Sequence, residues 1–215
     1  MLDIFQHHLL TLLGGLGLSL EITGVAVLGA FLLGSVIAVF RISPIGPLRT
    51  VGLLYVEVFR NIPMMSLIIL VVYALPKLNI MFGFLRSVFV ALILVGASFV
   101  CEALRSGVNA VGSGQIEAGR AIGLNFVQLL RLIVLPQAFR TVVQPLLTVV
   151  IGIFLSSSLA GVVGIMDLTQ TANRLNTLYA FGLIIYIVAA IFYVGVALIL
   201  AWLGGRIERA VRIIR

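Results

Sequence analysis

The chain has 215 residues and a net charge of +7; 62% of its residues are hydrophobic and 10% are charged. A soluble domain averages about 45–50% apolar and about 25% charged residues. The composition therefore excludes a soluble domain and predicts an all-α integral membrane protein. The length suits a single transmembrane domain over residues 1–215, with about five spans of roughly 20 residues. The positive charge is a topology signal, so we expect a lipid bilayer and no nucleic acid as its surroundings.

Long apolar stretches bounded by charge, proline or glycine place the predicted spans. Residues 1–17 contain no Lys or Arg and predict a short interfacial helix with Leu9, Leu10, Leu12 and Leu13 towards lipid. The spans then follow at residues 19–40, 50–76, 87–108, 141–163 and 179–204.

The basic residues predict the orientation. Ten of the fourteen Lys and Arg residues fall in the 41–49 turn, the 105–140 loop and the tail after residue 205, whereas the alternating segments hold three. Lys and Arg near span ends favour the cytoplasm. We therefore expect the N-terminus outside and the C-terminus inside, with the polar loop at about 112–136 also in the cytoplasm.

That polar loop predicts two short helices that meet at a glycine corner. Gly114 suits an N-cap, Glu117 then falls in the first helical turn, and Gly123 suits a left-handed stop. A second helix runs from Phe126 until Pro136 redirects the chain. Such short helices are marginal alone, so they pack on their own protein or on a partner. The alternative is an ordinary loop folded against the spans.

Charged and polar residues inside the predicted spans are the second candidate site. Arg60 lies about eleven residues into its span and therefore near mid-bilayer, where it needs a partner or a water-filled cavity. Glu57 on the same helical face can pair with it, so Arg60 either fixes helix packing or faces a translocation path. Ser157 and Ser158 either line a cavity or bond to their own helix.

Two further charges lie at the end of the third span. Glu102 and Arg105 are three residues apart, which predicts a solvated helix-end ion pair that anchors the loop.

No chemistry of its own is indicated for the chain. Lys77 is the single lysine and follows Pro76, so the sequence contains no Gly-Lys-Ser/Thr phosphate-binding loop. We expect no catalytic residue, no metal site and no cofactor in this chain.

Three stretches of the sequence have a characteristic spacing of polar and small residues. They are Glu117-Ala118-Gly119 with Gly123, Ile133 and Leu135-Pro136, the run Tyr55-Val56-Glu57-Val58-Phe59-Arg60-Asn61-Ile62-Pro63, and Glu102-Ala103-Leu104-Arg105-Ser106-Gly107. Together they resemble the permease subunits of ABC importers of the type I fold, in their polar amino-acid branch. The likeness extends from about residue 16 to the C-terminus.

The resemblance implies a five-helix core with cytoplasmic coupling helices, in the cell membrane of a bacterium. It also implies a second permease subunit, an extracytoplasmic substrate-binding protein, and two ATPase subunits that bind ATP and Mg. Glu117, Ala118, Gly119, Gly123 and Leu124 would then contact the ATPase. The transported molecule would be a polar amino acid, with a lean towards glutamate.

One departure from the family concerns the membrane partner. Many relatives carry a Lys and a Thr before a Ser-Leu in the fourth span, whereas residues 153–159 here carry no charge. This favours a paralogue over a second copy of the chain as partner, with both left open. The rival classes are a secondary transporter or channel without an ATPase, and a structural membrane scaffold.

Overall fold

The computed structural model describes the backbone of residues 2–211 and the side chains of residues 8–210. Met1 of the predicted interfacial helix and Arg212 and Arg215 of the basic tail lie outside the described residues. The helices are α1 Leu2–Ile42, α2 Gly46–Asn61, α3 Met64–Ile69, α4 Phe84–Asn109, α5 Ser113–Ala121, α6 Phe126–Leu129, α7 Leu135–Ser157, α8 Leu168–Tyr179 and α9 Leu183–Val211. A π turn, Leu70–Ala74, and a 3-10 turn, Leu75–Leu78, prolong α3; a second π turn, Leu130–Val134, joins α6 to α7, and the 3-10 turn Ser158–Val163 follows α7.

The central pair of the bundle is α1 against α4. Small residues on α1 allow the two backbones to approach closely: a Cβ added to Gly34 would lie 2.7 Å from the carbonyl oxygen of Ala97. Ile22 and Leu92, both fully buried, belong to the main hydrophobic core around this contact. Helices α2, α3, α7 and α8 pack on this pair, and α9 packs on α7 and α8.

Four segments of the described chain are long and apolar enough to cross a membrane. They are His8–Ile42, Phe84–Asn109, Phe126–Val163 and Leu183–Ala210. By length and composition a fifth crossing is possible only if Gly46–Asn61 and Met64–Leu78 count together, and these two helices are bent by 103°.

The predicted span at 50–76 is therefore two helices bent by 103° and not one continuous helix. The chain breaks at Ile62, which is extended with φ −80° and ψ 127°. Pro63 causes this break, because its ring disfavours helical backbone in the residue before it and it has no N–H for the helix. Arg60 lies one turn before the resulting corner rather than in the middle of a straight helix.

The prediction of a separate interfacial helix before the first span is also wrong, because α1 is one continuous helix from Leu2 to Ile42. Leu12 is fully buried in a cluster with Leu168 and Ile185 instead of facing lipid, while Leu9, Leu10 and Leu13 are exposed. Gly15 explains the contact, since a Cβ there would lie 2.9 Å from the carbonyl oxygen of Asp167. Gly15 thus permits close packing of α1 with α8 and does not end a helix.

The sequence predicted that Pro136 redirects the chain, and this prediction is wrong. Helical structure continues from Phe126 to Val163 without a sharp bend. The π turn places the Leu135 N–H on the carbonyl of Leu130, and the side-chain amide of Gln137 donates to the carbonyl of Ile133 over 3.1 Å. These bonds compensate for the donor that proline lacks.

Candidate functional site

The predicted polar loop folds into a single short helix, α5, on top of the long helix that follows it. Its N-cap is Gly112, with φ −60° and ψ 137°, and the Gln115 N–H donates to the Gly112 carbonyl over 3.1 Å. The prediction of Gly114 as N-cap is therefore wrong by two residues. Glu117 consequently lies in the second turn, exposed on the helix side, and not at the positive end of the helix dipole.

The inner face of α5 packs on its own chain. Gly119 is buried, and a Cβ at this position would lie 2.7 Å from Cδ1 of Ile133. Beneath it, Val111, Leu129 and Val134 form a small buried cluster. A small residue at position 119 is thus required for α5 to rest on the start of the Phe126–Val163 helix, which fixes the orientation of its outer face.

Gly123 ends α5 in the left-handed conformation, as the sequence predicts. Its φ is +83°, its N–H donates to the Arg120 carbonyl over 3.0 Å, and the Leu124 N–H donates to the Gly119 carbonyl over 3.1 Å. This is the Schellman arrangement, which satisfies the last carbonyls of a helix. Asn125 then caps α6 through a reciprocal pair of hydrogen bonds with Gln128.

The outer face of this segment exposes large apolar side chains. Ile122, Phe126 and Val127 are 77%, 75% and 67% exposed, beside the exposed Glu117 and Ala118. Adjacent exposed apolar residues on an ordered segment are typical of a protein contact surface. Of the predicted coupling residues, Glu117, Ala118 and Gly123 are accessible, whereas Gly119 supports the packing and Leu124 is half-buried.

A second polar site joins the ends of α1, α2 and α4. The carboxylate of Glu102 accepts a hydrogen bond from Arg41 over 3.0 Å and from Arg105 over 2.8 Å, and Nη1 of Arg60 lies 3.8 Å from it. Three guanidinium groups face one carboxylate, so the cluster carries an excess of positive charge. Nη1 of Arg41 is buried and has no hydrogen-bond partner among the described residues.

The predicted Glu57–Arg60 pair is wrong. Within residues 8–210 Glu57 is exposed and forms no ion pair, whereas Arg60 points towards Glu102 on α4, against which α2 packs. The Glu102–Arg105 pair is confirmed, although it is half-buried and shared with Arg41 rather than solvated. Sequence reasoning missed Arg41 because 61 positions separate it from Glu102. Arg41 lies at the end of the first predicted span, on the same side of the membrane as Glu102, and this shared side could have indicated the pair.

A cavity of about 250 Å³ opens beside this cluster, between α3, α4 and α7. Its wall includes Met64, Val95, Phe99, Thr148, Ile153 and Ser156. The guanidinium carbon of Arg60 lies 5.5 Å from the centroid of the Phe99 ring. Because Phe99 lines the cavity, Arg60 stands next to it. The side chain of Arg60 is 42% exposed, so its guanidinium group has donors free for a ligand.

The two predicted serines are absent from that wall. Ser157 is fully buried and its hydroxyl donates to the Phe154 carbonyl over 2.7 Å, while the Ser158 hydroxyl donates to the Leu155 carbonyl over 2.7 Å. The helix turns by about 100° per residue, so Ser156 faces the cavity when Ser157 faces the core. In the part of the chain that the structure describes, His, Cys, Asp and Glu form no group of three that could hold a metal ion.

Comparison with known proteins gives matches over most of the chain. Residues 30–213 match the family described as binding-protein-dependent transport system inner membrane component. The Bacillus subtilis protein named "Probable glutamine ABC transporter permease protein GlnM" is 36% identical over 79% of this chain and 78% of its own length. The glutamate/aspartate import permease GltK of Escherichia coli O157:H7 is 34% identical over 77% of both chains.

Solved structures agree in fold. The structure described as an amino acid ABC transporter with histidines superposes with a TM-score of 0.92 at 27% identity, over 97% of both chains. An inward-facing MetNI methionine ABC transporter gives a TM-score of 0.80 at 23% identity, over 96% of this chain and 98% of that chain, and shows the fold alone.

Proposed function

Because this chain belongs to the inner-membrane components of binding-protein-dependent transport systems, the type I ABC importer permeases of the polar amino-acid branch, we propose that it forms half of an ATP-driven path for an acidic amino acid. Members of this family are transport subunits rather than enzymes. Nucleotide binding therefore belongs to partner ATPases, which we propose hold both ATP and Mg. The path lies in the cell membrane of a bacterium, with the N-terminus outside and the C-terminus inside.

The continuity of the helix from Phe126 to Val163 carries this proposal. α5 rests on the first turns of that helix through Leu129 and Ile133, and the cavity residues Thr148 and Ser156 belong to the same helix. At about 1.5 Å per residue, the seat of α5 and the cavity wall are roughly 20–40 Å apart along one rod. A partner that moves α5 therefore moves the wall of the cavity.

The ATPase contact consists of the outer face of α5 and the apolar residues after it. Glu117 and Ala118 enter a groove of the ATPase, and Ile122 and Phe126 cover its rim. Gly119 and Gly123 act indirectly, by holding α5 on the helix below and by ending it, and Leu124 closes that end. Closure of the ATPase pair on ATP then tilts the Phe126–Val163 rod and alternates the opening of the path.

Copurification tests this contact. A tagged chain in detergent is expected to retain its ATPase subunits, and Glu117→Gln should weaken this association. Arg120 carries the opposite charge on the same helix and is also exposed, so Arg120→Gln is the matched control for charge removal there. An ATPase that never copurifies with the wild-type chain contradicts the importer mechanism.

The substrate path consists of the cavity beside Phe99 and Ser156, with Arg60 at its edge. Arg60 is the most exposed and the most distant of the three arginines around Glu102. A substrate carboxylate can therefore replace Glu102 as the ion-pair partner of Arg60, while Arg41 and Arg105 still neutralise Glu102. The excess positive charge favours an acidic amino acid such as glutamate over its neutral amide.

Uptake of labelled glutamate and glutamine by the reconstituted complex tests the role of Arg60. A charge-assisted hydrogen bond contributes about 1.5–3 kcal/mol, so Arg60→Gln should lower glutamate uptake by roughly 10- to 100-fold. Arg49→Gln, on the exposed start of the same helix, should leave uptake unchanged. Equal effects of the two variants contradict a substrate contact at Arg60, and a preference for glutamine contradicts the acidic substrate.

The membrane partner is a paralogue, with an extracytoplasmic binding protein delivering the substrate. Support comes from the wall residues Ile153 and Ser156, which are uncharged, so Arg60 at the edge is the charged contact of this subunit and the partner subunit supplies any charged contact from the opposite wall. Coexpression of tagged and untagged copies decides the question. An untagged copy that copurifies with the tagged one shows a homodimer and contradicts the paralogue.

A further inference from the structure

A buried carboxylate joins three helices at the opposite end of the bundle from α5. Asp167 is fully buried at the N-cap of α8, where its Oδ1 accepts the Gln170 N–H over 2.8 Å. The hydroxyl of Tyr193 on α9 donates to Oδ2 over 3.2 Å. Asp167 is thus both the cap of a helix and a completely buried carboxylate.

The same hydroxyl network reaches α1. Tyr193 lies 3.4 Å from the hydroxyl of Ser19, and Ser19 accepts the Leu168 N–H over 3.2 Å. Tyr193 also lies 3.1 Å from the hydroxyl of Thr169. The first turn of α8 is thus attached to both α1 and α9 through groups that surround one carboxylate.

This carboxylate has no cation beside it among the described residues. The elements that pack on it contribute Ser19 from α1, Gly161 from the 3-10 turn, the start of α8, and Tyr193, which is the titratable group that faces it. The charged residues of these elements lie elsewhere: Glu21 is exposed on α1, and Arg174 lines an outer cavity with His8. An ionised Asp167 would therefore be a buried charge that accepts hydrogen bonds from Gln170 and Tyr193 but has no counter-ion among the described residues, which is costly.

We propose that Asp167 is a proton-binding site that locks α8 onto α1 and α9. A proton taken from the surrounding water neutralises the carboxylate and stabilises the closed packing, and release of that proton loosens it. The Ser158–Val163 turn connects this joint to the helix that carries Ser156 of the cavity. A low pH on the side of the membrane where Asp167 lies therefore stabilises the closed packing next to the Phe126–Val163 helix.

The direction of the effect follows from the protonation equilibrium. Burial raises the pKa of Asp167 from 3.8 to about 6, against hydrogen bonds from Gln170, Tyr193 and Thr169 that lower it. An opened α8 exposes the carboxyl to water and returns it to its ordinary pKa. The closed state then binds the proton more tightly, so its extra stability is complete below pH 3.8 and is lost as pH rises through about 6. The equilibrium constant for the opening of α8 therefore rises about tenfold from about pH 5 to about pH 7.5.

Amide hydrogen exchange of the complete complex in lipid nanodiscs measures this opening. After correction for intrinsic exchange rates, the amides of α8 should be about tenfold less protected at about pH 7.5 than at about pH 5. Asp167→Asn keeps the cap acceptor and stays neutral, so it should be equally protected at both pH values. At about pH 7.5 it should be at least tenfold better protected than the wild type.

Two further variants separate proton binding from general packing. Tyr193→Phe removes a donor to the ionised carboxylate, so the midpoint of the pH dependence should move to higher pH even if the asparagine variant fails to fold. Glu21→Gln removes an exposed carboxylate of α1 and should keep the tenfold difference.

Wild-type protection that is equal at both pH values overturns the proton site, as does an unchanged tenfold difference in Asp167→Asn. Neither result depends on the identity of the transported amino acid or on the ATPase contact.

Discussion

Replacing Gly123 by alanine tests whether the ordered end of α5 couples the ATPase to the path. The ideal Cβ meets no atom within 4 Å, so the change introduces backbone strain at φ +83° without a steric clash. A left-handed conformation costs a residue with a Cβ about 1–2 kcal/mol, which makes local opening roughly 5- to 30-fold more frequent.

Gly164 provides a matched control in a different part of the molecule. It has the same φ of +83° and an equally open surrounding. The Gly164 N–H donates to the Gly161 carbonyl, and the Ile165 N–H donates to the Ala160 carbonyl, which repeats the arrangement at Gly123. Gly164→Ala should therefore have the same local cost.

Two measurements on the reconstituted complex separate strain from coupling. Amide exchange should become 5- to 30-fold faster at Leu124 in Gly123→Ala and at Ile165 in Gly164→Ala. Amino-acid uptake per ATP hydrolysed should fall in the first variant alone. Faster exchange at Leu124 with unchanged coupling refutes the role of α5, and equal uncoupling by both variants shows a general loss of stability instead.

Two other substitutions test the packing and the ion cluster. Gly34→Ala should lower the unfolding temperature relative to Gly24→Ala, because overpacking against Ala97 costs about 1–3 kcal/mol and the control position has nothing within 4 Å; equal temperatures would contradict the close α1–α4 contact. Glu102→Gln should destabilise the chain by about 2–4 kcal/mol, since it leaves partly buried guanidinium groups without a counter-charge. Glu57→Gln should stay within about 0.5 kcal/mol in the same denaturation assay, and a comparable loss there would contradict the cluster.

The parts of the fold that local hydropathy determines are predictable from sequence. The third predicted span, 87–108, agrees with α4 at Phe84–Asn109 because this helix is apolar along its whole length. The left-handed stop at Gly123 is predictable because one residue type suits one backbone conformation. Both are decided by residues that are close together in the chain.

Features that depend on distant contacts are not predictable in this way. Leu12 has the composition of a lipid-facing residue, but its burial requires α8 and α9 to pack on α1. Glu57 has the better spacing for Arg60, yet the packing of α2 on α4 places Arg60 beside Glu102. Pro63 indicates a break in the helix, but the size of the bend depends on the surface against which α3 packs.

The 103° corner between α2 and α3 also has a consequence for the permeability of the membrane. The last carbonyl groups of α2 have no partner within the helix, and hydrocarbon supplies no donor for them. The side-chain amide of Asn61 donates to the carbonyl of Glu57 over 2.7 Å, which lies just before the last four carbonyls and leaves these without that donor. We therefore expect water to reach the depth of Pro63, so that Met64–Leu78, at most about 22 Å long, would form most of the apolar barrier at this place.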